Sequence, residues 1–257
     1  PPLAAAPCTA SITPLLAGQR TLFRPFNKGR RGGQGNPGNP VSGGKSSYLW
    51  EVVWERDGWR DILARFVHLA VEEKVKDSKK IRTESIIFPR YHQLVATRAL
   101  KAAVLRDGPG GKYLVQHSAG SGKTNSIAWS AHFLADLHDA QHRKLFHTVL
   151  VVSDRTVIDS QLQEAIFDFE RTAGVVATIQ GESESKSGTL AKALHGSKKI
   201  AVCTIQTFPQ ALAAVAALAA TDGTPLAALP CEPPNPRPGL PRAPQTTLHY
   251  PPPREDR

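Results

Sequence analysis

The run HSAGSGKT, from His117 to Thr124, constrains the fold of this chain more than any other part of its sequence. It departs from the phosphate-loop pattern GxxxxGK[ST] at the first position, where His117 replaces glycine. Gly120 and Gly122 allow backbone amides to surround a phosphate, because no Cβ stands in the way. Lys123 is placed to reach the outer phosphates, and the Thr124 hydroxyl is placed to ligate Mg²⁺. We therefore predict a site for ATP and Mg²⁺.

A phosphate loop of this kind needs a strand before it and a helix after it. Residues 113–116 (YLVQ) predict the strand, and residues 124–138 (TNSIAWSAHFLADLH) predict the helix. The helix would point its N-terminus at the anion. A Gly/Ser turn that binds nothing is the alternative interpretation. One side of the predicted helix carries Ile127, Ala131, Leu134 and His138, and the predicted nucleotide ligands of the loop are Gly120, Ser121, Gly122, Lys123 and Thr124.

Strands and helices alternate through the rest of this region. Aliphatic runs predict buried strands at 147–153, 175–179 and 199–205, and 3.6-residue periodicity predicts helices at 156–170 and 187–196. This alternation is typical of an α/β fold with a mainly parallel sheet. We assign this partial domain to residues 86–212.

The sequence on either side has a different character. Residues 1–22 are rich in proline and alanine and predict an irregular arm, and residues 26–47 predict a Gly-rich loop. Residues 48–74 predict amphipathic helices broken near Gly58, with Trp50, Trp54 and Trp59 in the core, and a polar connector follows at 75–85. Eleven of the 21 prolines lie in residues 225–257, so we predict a disordered tail over 213–257.

Charge and cysteine content narrow the possible partners. The formal charge of +10 favours a polyanion, nucleic acid before an anionic membrane, and no apolar run is long enough to span a bilayer. The three cysteines lie far apart, which favours a reducing compartment without structural zinc. His132, His138 and His142 lack acidic or cysteine neighbours at ligand spacing, so we predict no metal site there.

Two basic segments have alternative interpretations. Gly44, Lys45 and Ser46 resemble a second phosphate loop, but the flank GQGNPGNP cannot be a buried strand, so we interpret them as a basic flexible loop. Lys28, Arg30 and Arg31 form either a solvated surface or a nucleic-acid contact.

From Phe23 to about Phe208 the chain resembles the restriction (R, motor) subunit of type I restriction-modification systems. The similar segments are FRPFNKGRRGGQGNPGNP, YLWEVVWERDGWRDILARFVHL, FPRYHQLVA, YLVQHSAGSGKTNSIAWSAHFL, VVSDRTVIDSQLQ and CTIQTFP. These subunits are superfamily 2 helicase-like DNA translocases joined to a nuclease domain. The run QHSAGSGKTNSIAW after FPRYHQ is much more specific for the family than the phosphate loop alone.

The resemblance implies a P-loop RecA-like parallel sheet with helices on both faces. Residues 23–85 would then link a nuclease region to the motor. It implies a bacterial, cytoplasmic motor that couples ATP hydrolysis to translocation along double-stranded DNA before cleavage. Its partners would be the modification and specificity subunits, with no membrane involved.

The resemblance also assigns roles to residues outside the loop. Gln93 matches the glutamine that reads adenine, although it could instead cap its own helix. Asp154 and Arg155 match helicase motif Ia and Thr204 matches motif Ib, both of which contact the DNA backbone. Asp154 could also be a helix N-cap, and Thr204 could be only a strand residue.

The similarity ends just after Phe208, before the Asp-Glu motif II that holds Mg²⁺ and orients the attacking water in this family. We see no convincing nuclease carboxylate set in residues 1–80 either, so no catalytic residue is identified. We therefore expect a truncated or frameshifted R subunit, in which only an incomplete first motor lobe is present. The alternatives are another superfamily 2 DNA helicase or translocase, and a non-catalytic basic DNA-binding remnant.

Overall fold

A computed structural model describes residues 3–5, 9–13, 18–29, 35–76, 79–153, 162–163, 165–167, 169, 176–177, 193, 198–206 and 247–249. The chain forms two compact units. Unit 1 comprises Pro1–Ala96, Val115–Lys123 and Thr247–Arg257, and unit 2 comprises Thr97–Leu114 and Thr124–Thr246.

Unit 1 begins with a small antiparallel sheet in the order β1-β2-β3. Its strands are β1 (Leu3–Ala5), β2 (Ala10–Ile12) and β3 (Arg24–Pro25). Part of the arm predicted to be irregular is therefore strand. The reason is tertiary, because β2 alternates buried and partly exposed residues over only three positions, too few to show a period in the sequence.

Buried asparagines hold the loop that follows. The Asn27 Oδ1 accepts hydrogen bonds from the Ala10 amide (2.7 Å) and from the Asn36 Nδ2 (3.0 Å), and the Asn36 Oδ1 accepts from the Lys28 amide. Asn39 closes a turn by accepting from the Val41 amide at 2.8 Å. The segment around Lys45 is a loop as predicted, and side-chain amides hold it in a hydrogen-bonded turn.

Short helical pieces follow the loop. They are a π-helical turn at Leu49–Val53, the helix α1 at Arg56–Asp61 and a second π-helical turn at Ile62–Phe66. The break lies at Glu55 rather than at Gly58, because the Glu55 carboxylate caps α1 by accepting from the Asp57 and Gly58 amides.

The prediction that Trp50 and Trp54 lie in the core was wrong. Their exposed fractions are 54% and 44%, whereas Leu49 and Val53 are fully buried. A turn of five residues presents only one face to the interior, so the tryptophans beside the buried positions reach solvent. Trp59 is half-buried, with its ring centroid 6.2 Å from that of Phe88.

A long antiparallel hairpin replaces the rest of the predicted helix and the polar connector. It pairs β4 (His68–Lys76) with β5 (Lys79–Ile87), from His68 opposite Ile87 to Lys76 opposite Lys79. The prediction of helix through residue 74 was therefore wrong. The segment contains β-branched residues such as Val71, Val75 and Thr83, which favour strand over helix.

Unit 2 contains a small parallel sheet in the order β7-β9-β8. The strands are β7 (Val149–Ser153), β8 (Val176–Ala177) and β9 (Ile200–Thr204), and every residue of β9 is buried. Strand β9 lies between two parallel neighbours, and burial of successive residues, which point to opposite faces, explains its unbroken apolar run. The predicted α/β class with a parallel sheet is confirmed at this level.

Two longer helices accompany these strands along the chain. They are α2 (Tyr91–Asp107) and α3 (Lys123–Ala135), the second close to its predicted bounds. Its predicted apolar face was correct for the buried Ala131 but wrong for Ile127, which is 41% exposed while Trp129 and Phe133 are buried. Trp129 packs edge-on against Phe169 at 5.1 Å and anchors the helix. No helix among the described residues is long and apolar enough to cross a membrane.

The strand before the phosphate loop is β6 (Leu114–Gln116). In the part of the chain that is described, β6 pairs with β10 (Thr247–His249) and not with the parallel sheet. Strand β10 lies within the tail predicted to be disordered, and the rest of residues 213–257 lies outside the described residues. So do most of the helices predicted at 156–170 and 187–196.

Candidate nucleotide-binding loop

The loop between β6 and α3 has the conformation that its glycines predict. Gly120 and Gly122 have φ angles of +71° and +78°, in the left-handed region that favours glycine. A strand precedes the loop, and α3 begins at Lys123, so the context expected of a phosphate loop is present. A Cβ at Gly122 would lie 2.6 Å from the Gln93 Nε2, so a side chain there would displace the Gln93 amide.

The structure describes three side chains of the loop that were predicted to bind nucleotide or Mg²⁺. The Lys123 Nζ donates to the Ser118 carbonyl at 2.7 Å and to the His117 carbonyl at 3.3 Å, so the ammonium lies over the loop. The Ser121 hydroxyl is buried and has no hydrogen-bond partner among the described residues. Thr124 follows in the first turn of α3 and is half-buried.

The segment FPRYHQ contacts the loop through three side chains. The Arg90 Nη1 donates to the Gly120 carbonyl at 3.4 Å, and the His92 Nε2 lies 3.0 Å from the Ser121 carbonyl. The Gln93 Nε2 donates to the Gly122 carbonyl at 2.8 Å and to the Ser121 carbonyl at 3.4 Å. Three consecutive loop carbonyls therefore accept from one short segment.

Gln93 also performs the capping role that was its alternative interpretation. Its Oε1 accepts from the Arg90 amide at 2.8 Å, three residues earlier, as in a capping box at the start of α2. Both ends of the amide are thus engaged, and the side chain is 3% exposed. The assignment of Gln93 to adenine stays a prediction.

Two histidines meet at the loop. The rings of His92 and His117 are edge-on, with centroids 4.9 Å apart. Burial, opposed by the hydrogen bond to Ser121, lowers the pKa of His92 to about 4. Burial and then the charge of Lys123 lower the pKa of His117. His92 is therefore neutral at pH 7, and since a carbonyl can only accept, its Nε2 carries the proton.

An aromatic cluster holds the segment FPRYHQ in unit 1. The Tyr91 ring packs edge-on against Phe26 at 5.7 Å and against Tyr48 at 4.9 Å. Phe88 lies 6.0 Å from Phe26. Tyr48 is buried, and its hydroxyl donates to the Phe26 carbonyl. Sequence reasoning missed Arg90 and His92 as loop contacts, although both lie in the segment that it singled out.

The predicted DNA-contacting residues are described only in part. Asp154 and Arg155 lie outside the described residues. Thr204 ends β9 with its side chain 9% exposed, and the Ile205 amide beyond it donates to the Ser153 carbonyl at 2.8 Å. Strands β7 and β9 therefore end side by side, but the Thr204 side chain is mostly covered. Its role in DNA binding stays a prediction.

The histidines and basic residues considered earlier have structural partners. The His132 Nε2 lies 2.9 Å from the Ile166 carbonyl, and the His138 Nδ1 lies 2.9 Å from the Asp136 carbonyl. The described residues contain no group of three or more histidine, cysteine or acidic side chains that could hold a metal. The Lys28 Nζ lies 5.0 Å from the centre of the Tyr48 ring, whereas Arg30 and Arg31 are outside the described residues.

Comparison with known proteins places this site in a family. Residues 92–226, more than half of the chain, match the family model of the SWI2/SNF2 ATPase. The matched region starts at His92 and includes the whole loop. No curated protein and no solved structure gives a significant match. The chain therefore belongs to the SWI2/SNF2 ATPase family, which consists of superfamily 2 helicase-like ATPases.

Proposed function

We propose that this chain is the ATP-binding motor part of the R subunit of a type I restriction enzyme. Such a motor couples ATP hydrolysis to movement along double-stranded DNA before cleavage, together with modification and specificity subunits in the bacterial cytoplasm. Membership of the family supports an ATP-driven motor, and the similarity of FPRYHQ and QHSAGSGKTNSIAW to R subunits supports the narrower role. The observation that carries the proposal is a loop with two left-handed glycines next to Lys123.

The loop fits a nucleotide phosphate and its Mg²⁺. The left-handed glycines leave room for successive amides to face an anion, and the buried Ser121 hydroxyl has hydrogen-bonding capacity to spare. The Lys123 ammonium can exchange carbonyls of its own loop for phosphate oxygens, which are stronger acceptors. Thr124 would hold Mg²⁺, which when bound neutralises phosphate charge. Gln93 is the residue proposed to contact the adenine of the same nucleotide.

The proposed contact with DNA rests on the net charge of the chain and on residues that follow or end strands β7 and β9. The net charge of +10 favours contact with the phosphate backbone, which carries no sequence information. We assign this contact to Asp154, Arg155 and Thr204, which follow or end strands β7 and β9. Choice of DNA sequence would belong to the specificity subunit.

The chain is proposed to bind nucleotide better than it hydrolyses it. No Asp-Glu pair in the order of motif II follows Phe208, so these 257 residues do not include the carboxylates that would orient the attacking water. Positioned phosphates without a positioned water give little rate enhancement.

Calorimetric titration of the purified chain with ATP and Mg²⁺ tests the proposal. Lys123→Ala should weaken binding at least about tenfold, because it removes a charge-assisted hydrogen bond to phosphate. Lys112→Ala is the matched control, since Lys112 is exposed and lies before β6. Equal affinity of Lys123→Ala and the unchanged chain would refute nucleotide binding by this loop.

A second candidate is a superfamily 2 motor that does not belong to a restriction system. The match to the SWI2/SNF2 ATPase family favours it, because that match does not single out R subunits. Co-purification with the modification and specificity subunits would favour the restriction role. Salt-dependent DNA binding that ignores ATP would instead favour a non-catalytic basic remnant.

A further inference from the structure

We propose that Arg90, His92 and Gln93 are positioning residues that hold the phosphate loop in its anion-binding conformation. We call these three side chains the carbonyl brace. The inference rests on the proposed function, because it concerns how the same loop is prepared for nucleotide. It adds a role at the phosphates to the segment FPRYHQ, in which Gln93 was predicted to read adenine.

Peptide geometry links the brace to the anion site. In a trans peptide the carbonyl of one residue and the amide of the next point in opposite directions. The brace holds the carbonyls of Gly120, Ser121 and Gly122 on one side of the loop. The amides of Ser121, Gly122 and Lys123 therefore point to the other side, where successive amides form an anion-binding concavity.

The contacts of the brace differ in strength. The bonds from Gln93 to Gly122 (2.8 Å) and from His92 to Ser121 (3.0 Å) have ordinary hydrogen-bond lengths. The bond from Arg90 to Gly120 is long at 3.4 Å and more exposed, so it contributes least. His92 and Gln93 are less than a tenth exposed, and buried carbonyls that lose such donors carry the full cost of desolvation.

The brace is itself held in place from two directions. The Gln93 Oε1 is tied to the Arg90 amide at the start of α2, and Tyr91 is packed into the aromatic cluster with Phe26 and Tyr48. A glutamine that reads adenine needs its amide oxygen and nitrogen for the base. Here both are engaged within the protein, so Gln93 would have to release these bonds to read a base.

Three ligands separate these roles. ATP, GTP and inorganic tripolyphosphate share a phosphate chain but differ in the base or lack it. Titrations with each, in the presence of Mg²⁺, compare the unchanged chain with Gln93→Ala, His92→Ala, His92→Gln and Arg90→Ala. His138→Ala and Gln206→Ala are matched controls at exposed positions.

If the brace holds the loop, substitutions in it should lower the affinity for ATP, GTP and tripolyphosphate equally. Gln93→Ala and His92→Ala should each weaken binding about tenfold, and Arg90→Ala less, since one hydrogen bond is worth about that factor. His92→Gln should restore most of the loss, because it keeps a donor of similar reach. A loss confined to ATP after Gln93→Ala would overturn the brace in favour of adenine recognition, as would unchanged affinities throughout.

A second measurement needs no ligand and separates the brace from the proposed function. Amide hydrogen exchange at residues 121–123 should be several-fold faster in His92→Ala and Gln93→Ala than in the unchanged chain. Faster exchange in a chain that binds none of the three ligands would keep the brace and reject the nucleotide site. Unchanged exchange would overturn the brace.

Discussion

Replacing Gly122 by alanine should damage the loop more than the same change at Gly120. Both residues have φ angles near +75°, and a left-handed conformation costs an L-residue about 1–2 kcal/mol. At Gly120 nothing lies within 4 Å of an added Cβ, so only this backbone cost applies. At Gly122 the Cβ would also lie 2.6 Å from the Gln93 Nε2.

The added cost at Gly122 follows from that contact. The Gln93 amide would have to move by several tenths of an ångström and give up its 2.8 Å bond to the Gly122 carbonyl. A hydrogen bond of this kind contributes about 1 kcal/mol. Gly122→Ala should therefore destabilise the chain by about 2–3 kcal/mol and Gly120→Ala by about 1–2 kcal/mol.

Thermal unfolding of both variants measures this difference. A gap of about 1 kcal/mol corresponds to roughly 2–4 °C in Tm for a chain of this size. Gly108→Ala is a control outside the loop, with a φ of +76° and open space around its Cβ. In the double variant Gly122→Ala with Gln93→Ala the two costs should be less than additive, because the clash is gone. Equal Tm values for the Gly120 and Gly122 variants would refute the reasoning.

Three further predictions concern stability. Burial lowers the pKa of His92 from 6.5 to about 4, so between these pH values His92 is protonated in the unfolded chain but not in the folded one. Stability should therefore fall as the pH drops from 6.5 towards 4, and His92→Gln should flatten that part of a Tm-against-pH profile. Asn27→Ala should cost about 1–3 kcal/mol in urea unfolding because it leaves the buried Ala10 amide and Asn36 without their acceptor, and a neutral result would exclude the asparagine network as a stabilising feature. Trp129→Ala should cost about 3–5 kcal/mol by leaving a cavity beside Phe169, whereas Trp50→Ala should change the same unfolding midpoint little.

Local patterns predicted some elements well and others poorly. The parallel strands β7 and β9 were predicted from their aliphatic runs, although only β9 is buried at every residue and Val152 of the edge strand β7 is 44% exposed. The hairpin of β4 and β5 was missed, because tryptophans and leucines spaced by three and four residues imitate a helix up to Leu69. The buried face of α3 was also missed, since Ile127 and Trp129 are both apolar and only packing decides between them.

The conformation of the loop from His117 to Thr124 could be predicted from the sequence alone. Left-handed backbone at Gly120 and Gly122 is a local property of residues without a Cβ, and Lys123 follows at a fixed covalent distance. Such features depend on neighbours along the chain, so a pattern of eight residues is enough to predict them.

Only the tertiary structure decided what surrounds the loop. Arg90, His92 and Gln93 lie about 30 residues before the carbonyls they contact. The rings of His117 and His92 meet because α2 starts beside the loop. The sequence allowed Gln93 to read a base or to cap a helix. Packing around Tyr91 fixes the start of α2, so only the structure shows that the Gln93 Oε1 accepts from the Arg90 amide.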